Sequence, residues 1–422
     1  MNPISISRVT FRRFVLGRQG LWPGRRFAGE DGTTAALHSA EALQLDPLNV
    51  IARSQDIAMH ARVLDYQPEY LQRAAYQRRE FFDYGGGLFL YPMRELPFWQ
   101  PAMQSFREPH TRWGRYYIEN PELVNQVLTA LRERGPLGNR DFQGNQRVNS
   151  YRGRKDTALA LFALWLGGEI MIHHRKGFDR YYDLAERVVP AQYAYPSTRE
   201  QAQEYFSSKA VAFMGLLREK RWAYELSGYL HSQLSWPEAR TCLATLRDQN
   251  IITPLQVEGS KDNWIVLSAD LPLLETLERG ATPVQWQPLG PDTSQEVTLL
   301  APLEIVSARG RARQVFDFDY IWEVYKPLEQ RRWGYYTLPI LYGDNLVARI
   351  DSRLERKSMT LQVKGFWLEQ EASADDADFA NALAKGLVRF ARFLQAGSID
   401  LDVIQPAHLH AHIQALVSTA LS

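Results

Sequence analysis

The chain is 422 residues long, 45% hydrophobic and 23% charged, a mixture expected to pack into several globular modules and not to stay disordered. A formal net charge of +1 neither announces nor excludes a nucleic-acid partner, while the single cysteine, Cys242, excludes an internal disulfide and any multi-cysteine zinc or iron–sulfur site. No apolar run approaches the roughly 18 residues of a membrane span, and MNPISISRVTFRRFVLGRQG lacks the apolar core of a signal peptide, so a cytoplasmic protein without a membrane partner is expected.

Residues 1–118 read as a degenerate winged-helix-like module, with helices near SISRVTFRRFVLGRQG and TTAALHSAEALQ. Residues 119–195 are clearer. NPELVNQVLTALRERG opens with Asn120 as N-cap and Pro121 at the first helical position, keeps apolar residues at helical spacing, and stops at Gly135. GPLGNRDF predicts a short second helix and DTALALFALWLGG a third. EIMIHHRKGFDRYYDLAER then predicts two strands joined by a basic turn at Arg175, Lys176 and Gly177. Three helices followed by a two-stranded wing is the winged-helix order, a DNA-binding architecture. It recurs in residues 196–280, from AVAFMGLLREKR to the wing ITPLQVEGSKDNWIVL.

GATPVQWQPLGPDTSQ reads as a linker, assigned to residues 281–295. Residues 296–422 then predict a β-rich domain from EVTLLAP, DYIWEVYKP, GYYTLPILYG, NLVARIDSRLE and MTLQVKGFWLE, with a hairpin turn at Gly343-Asp344-Asn345. DDADFANALAKGLVRFARFLQAG, acidic at its start and basic at its end, predicts a helix covering that sheet. The fold class is therefore α+β: tandem winged helices followed by a β-rich C-terminal domain.

Arginines gather in short groups around Arg12, Arg25, Arg154, Arg311 and Arg331. Their planar forks suit phosphate, although each group also reads as a solvated turn. In LQLDPLNVIARSQD, an extended backbone places Gln44 and Asp46 on one face and Leu45 in the core. An amide and a carboxylate so placed can share one water, the amide orienting it and the carboxylate taking its proton. Gln-x-Asp before Pro47 is equally an ordinary helix-to-turn ending. His408, His410 and His412 place two imidazoles on one helical face, a metal-site spacing without evident carboxylate or cysteine partners, so no metal is assigned. In the wing, alternation puts one of His173 and His174 inward and the other outward. Trp22, Trp99, Trp113 and Trp165 suit base stacking or, more simply, core filling.

The run from Leu43 to Ser54, with Gln44-Leu45-Asp46, Asn49 and Ala52-Arg53-Ser54, resembles the signature of the AlkZ/YcaQ-type winged-helix DNA glycosylases, in its Gln-aliphatic-Asp form. VFDFDYIWEVYKP and RRWGYYTLPILYGDNLVARIDSR resemble that family's C-terminal domain. The resemblance implies a monofunctional, cofactor-free and metal-independent glycosylase, removing N7-alkylated guanine from double-stranded DNA and unhooking interstrand crosslinks, with Gln44 and Asp46 as catalytic residues. A monomer is expected. Arg53, Arg154, Lys155, Arg175, Lys176, Arg309, Arg331 and Arg332 are the expected DNA contacts, and Arg331-Arg332-Trp333 the expected counterpart of the family's DNA-inserting hairpin. The chain departs from the family pattern where DYGGGLFLYPMRELP, with Gly85 to Gly87, replaces a Trp-Ala-His-Glu-Ala run, and where APLEI replaces Ser-Pro-Phe-Asp-Pro, putting Glu304 at an aspartate position near the site. The alternative, from a different class, is a non-catalytic winged-helix DNA-binding or transcription factor. A nuclease would need clustered acidic metal ligands, and no persuasive set is present in the sequence.

Overall fold

The computed structural model describes residues 4–142, 155–370 and 374–421. Its organising feature is one pattern of helices and strands used three times. In the first use, helix Gly29–Ala40 leads to strand Leu43–Gln44, helix Ser54–His60, helix Pro68–Gln72 with its continuation Arg73–Gln77, and strands Phe81–Tyr84 and Phe89–Pro92. The second runs through helix Pro121–Arg134, strand Leu137–Gly138, the short turn of helix Asn139–Asp141, helix Asp156–Leu166, and strands Ile170–Lys176 and Asp179–Leu184. The third runs through helix Arg199–Met214, strand Leu217–Arg218, helices Glu219–Leu230 and Trp236–Asp248, and strands Ile252–Val257 and Trp264–Leu267. In every copy the first short strand pairs with the last strand, and the last two form the wing.

Local chemistry sets these boundaries. Thr198 with Gln201 and Ser235 with Glu238 form reciprocal capping boxes, each satisfying backbone donors that a helix start leaves open. Pro121 opens its helix where no intrahelical N–H bond is lost, and Gly135, at φ 79°, ends it. The expected alternation of the two wing histidines fails. Pairing shifts between Ile172 and His174, a β-bulge that leaves both rings half-buried with their Nδ1 atoms 2.9 Å apart.

The helix expected near the N-terminus forms as Arg8–Arg18, but it packs on the third copy. Strand Ile4–Ile6 adds in parallel to Ile252–Val257, and Phe11, wholly buried, meets Trp264 edge-on at 4.8 Å. Trp286, within the stretch read as a linker, is buried against this helix at Gly17, where the ring leaves no room for a Cβ.

The C-terminal sheet orders Thr298–Leu299, Thr337–Tyr342, Asn345–Glu355, Thr360–Leu368 and Ser398–Asp400, with only the last strand parallel to its neighbour. Gly343 and Asp344 make its two-residue hairpin turn. Helix Ala377–Phe393 lays Phe379, Leu383, Leu387 and Phe390 on the sheet, and Asp376 caps it. DYIWEVYKP forms no strand. Buried Glu323 instead accepts bonds from Trp333 N at 2.6 Å and Lys326 Nζ at 2.7 Å, closing the segment into a loop. No helix among the described residues is long and apolar enough to cross a membrane.

Candidate active site and nucleic-acid interface

Gln44 ends the first strand of the first winged helix, opposite Phe89 of that module's wing. The next residue continues the register, with Leu45 N donating to Leu88 O at 2.7 Å and the Leu45 side chain buried. Asp46 follows as the chain turns. Its backbone N–H donates to Gln55 Oε1 at 3.0 Å, and its Oδ1 accepts the Leu48 N–H at 2.8 Å, leaving Oδ2 without a bonded partner among the described residues. The C-terminal domain steadies the loop that follows: Arg356 donates to Asn49 O at 2.9 Å and the Tyr336 hydroxyl to Ala52 O at 3.3 Å.

The Gln44 amide is held at both ends. Its Nε2 donates to Gly87 O at 3.0 Å, and its Oε1 accepts from Arg309 Nη2 at 2.6 Å. One amide hydrogen and one lone pair remain for a water or a substrate atom. Burial pushes the Asp46 carboxyl above the ordinary aspartate value, partly opposed by the Leu48 N–H. Both side chains line one open groove of about 1240 Å³. Its other walls come from the second module (Arg140, Arg180, Tyr181) and the C-terminal loop (Trp322, Tyr325, Tyr335). A carboxylate, an amide, cationic groups and exposed rings thus share a trough open to a large polymer.

The residues expected to contact DNA divide into groups. Lys155 and Lys176 are exposed, and Lys176 Nζ lies 4.8 Å from the Tyr181 ring centre. Arg332 is exposed over Trp333, whereas Arg331 is half-buried, donating to Lys326 O at 2.9 Å and lying over Tyr335. Arg53 is half-buried over Phe178. Arg175 is not a free cation, since its side chain is 3% exposed and bonded to the wholly buried Asp83 at 2.7 Å, joining the first two wings. Arg154 lies outside the described residues. Arg331, Arg332 and Trp333 form no hairpin; they follow the helical turn Leu328–Gln330 in a loop, with Trp333 between Arg332 and Arg349 and edge-on to Trp367.

Glu304 also departs from expectation. Both its oxygens accept from Arg62 at 2.7 Å in a buried pair, so neither is free for substrate. The triple glycine has a definite place: Gly85, Gly86 and Gly87 form the wing turn of the first module, and Gly86 and Gly87 line the groove beside Gln44. His408 faces Asp375 and His412 bonds Asn381; no group of three or more metal-ligating side chains converges among the described residues. Trp22, Trp99 and Trp165 are buried and Trp113 partly so.

Sequence reasoning missed Gln55 and the Gly87 carbonyl, which bond Asp46 and Gln44, and Arg140 and Arg180, which line the same groove. Only the GGG run, standing where an unbranched wing turn is needed, carried a local signal for one of them.

The structure of the Streptomyces sahachiroi DNA glycosylase AlkZ is similar to this chain, at 15% identity and a TM-score of 0.59, over 93% of this chain and 98% of that one. At that identity the likeness speaks for the fold. A family model described as "DNA glycosylase AlkZ-like" matches residues 37–393, which run from the end of helix Gly29–Ala40 through the rest of the three winged helices, Gln44 and Asp46 included, to most of the C-terminal sheet. The chain belongs to the DNA glycosylase AlkZ-like family.

Proposed function

We propose that the protein is a monofunctional DNA glycosylase that hydrolyses the N-glycosidic bond of N7-alkylated guanine in double-stranded DNA, interstrand crosslinks included. The observation that carries this reading is the pairing of Gln44, its amide clamped at both ends, with Asp46, one oxygen free, on the wall of a single open groove. Alkylation at N7 makes guanine cationic and a good leaving group, so the reaction asks little of a general acid. It asks for a placed water and for negative charge near an oxocarbenium-like sugar. Asp46 Oδ2 supplies that charge and takes the proton of the attacking water. Gln44 orients the same water through its remaining N–H and lone pair.

A base tied to the opposite strand cannot be swung far from the duplex, so such a substrate needs a trough open along its length rather than an enclosed pocket. The groove has that form. Arg140 and Arg180 on the groove wall, with the exposed Lys155, Lys176 and Arg332, serve as phosphate contacts without sequence preference, which makes binding strongly dependent on salt. Incubation of the protein with a duplex carrying one N7-methylguanine, in the presence of a chelator, tests the proposal. Abasic sites are the expected product. Tight binding with no base release supports instead a non-catalytic winged-helix DNA-binding factor.

A further inference from the structure

A second groove, of about 1140 Å³, lies on the other side of the first module's wing turn. Gly86 and Gly87 line both grooves, and Arg309, bonded to Gln44 at the border, lines the second. The two are therefore separated by one turn of backbone. The second is open, and its lining includes half-buried Phe89 and the largely buried rings of Tyr91, Trp99 and Tyr229. Trp99 is 3% exposed, with its ring 4.5 Å from Tyr91 and 5.5 Å from Tyr229.

The polar atoms of these rings distinguish the recess from an ordinary piece of core. The Trp99 indole N–H is buried with no acceptor, a state that costs free energy unless a ligand or water completes it. The Tyr91 and Tyr229 hydroxyls have no bonded partner among the described residues, and burial holds both phenols above their ordinary pKa, hence neutral. The half-buried Phe89 ring and the neutral donors beside it match a planar heteroaromatic ring, which packs on the first and hydrogen-bonds to the second. Exposed Lys220 supplies positive charge where a phosphate backbone would pass, while Arg221 is paired with Glu225 on the same helix. The space is open at Gly228 on helix Glu219–Leu230, where an added Cβ would meet nothing within 4 Å.

We infer that the recess across the glycine wing from Gln44 and Asp46 is a binding site for a planar heteroaromatic ring carried by the DNA, either the damaged base or the body of a bulky adduct on it. The inference rests on the reading above, in which damaged DNA lies in the adjoining groove. The wing turn, with no side chain at Gly85 or Gly86, is the low wall over which such a ring reaches the recess.

The test reads binding, not turnover. Three duplexes are compared by fluorescence anisotropy, each with a 2′-fluoro sugar that prevents base loss: unmodified, with one N7-methylguanine, and with one N7-(coumarinylmethyl)guanine. Gly228→Leu projects a bulky side chain into the recess and replaces a helical glycine with a better helix former, so its fold is expected to be intact; Gly228→Ala is the small control. If the ring is the adduct's, Gly228→Leu weakens the coumarin duplex about tenfold relative to Gly228→Ala and spares the other two. If it is the base, both alkylated duplexes weaken alike and the unmodified one does not. Trp99→Phe, which keeps a ring and removes the N–H, weakens the same duplexes. Equal affinities in both Gly228 variants, or an equal loss on all three duplexes, overturns the inference. Since no base is released in this assay, its outcome is independent of whether Gln44 and Asp46 hydrolyse the bond.

Discussion

Arg309 Nη2 lies 2.6 Å from Gln44 Oε1, a charge-assisted bond joining the C-terminal domain to the strand of the first winged helix. It fixes which end of the amide faces Gly87 and which faces the arginine. Arg309 is exposed and was expected to grip phosphate, but one nitrogen of its fork is already bonded to Gln44. As a positioning residue it acts through Gln44. Arg309→Ala is expected to lower kcat about 10- to 100-fold with little change in KM or melting temperature. A rise in KM, with the salt slope of DNA binding reduced by about one ion, would assign it to phosphate instead.

Burial holds the Asp46 carboxyl above the ordinary aspartate pKa, and the ionised form is the one that takes a proton from water. Single-turnover base release should therefore fall as pH drops through a midpoint above 3.8. Asp46→Asn should cost at least about 100-fold in rate and abolish that limb. A limb that persists unchanged in Asp46→Asn would assign the titration to another group.

Two neighbouring cations of the second wing sit in opposite surroundings. Arg175 is sealed against Asp83, and removing one partner of a buried pair costs about 3–5 kcal/mol, so Arg175→Ala should lower the melting temperature markedly. Exposed Lys176 should behave conversely, Lys176→Ala weakening DNA binding two- to fivefold, by rough expectation for one phosphate contact, without loss of stability. Thermal melts and a salt titration on both variants separate the roles.

Asp56, one helical turn past the site loop, accepts the Tyr66 hydroxyl at 2.8 Å, yet burial raises its pKa to about 6. An acid with a raised folded pKa binds its proton more tightly when folded. Its contribution is most favourable below the ordinary value of 3.8 and is lost as pH rises through about 6. Asp56→Asn keeps an acceptor for Tyr66 and removes the charge. The variant should be more stable than the parent at pH 8, by about 3 kcal/mol, and indistinguishable from it at low pH. Equal stabilities at pH 8 would contradict this.

How much of this was legible in the sequence depended on whether the signal was local. The second winged helix announced itself through a helix start at Pro121, helical spacing and a turn glycine at Gly177, and the third through recurrence of the same order. Alternation correctly put Leu45 inside. The first module was harder, because its helix Ser54–His60 is only seven residues long and its wing turn reads as an unexplained GGG. DYIWEVYKP has the composition of a strand, but the partners of Glu323 fold it into a loop. The largest gap lay in the arginines. Whether a guanidinium meets phosphate, Asp83, Glu304 or Gln44 is decided by residues that can be more than 200 positions away in the chain.

The most direct test of the central claim is a single-turnover assay on a duplex with one N7-methylguanine, with DNA affinity measured in parallel for the parent, Gln44→Ala and Asp46→Asn. The account predicts abasic sites with the parent, loss of release in both variants, and affinities within about threefold of one another. Undiminished release by the two variants, or none by a parent that binds the duplex tightly, would contradict it.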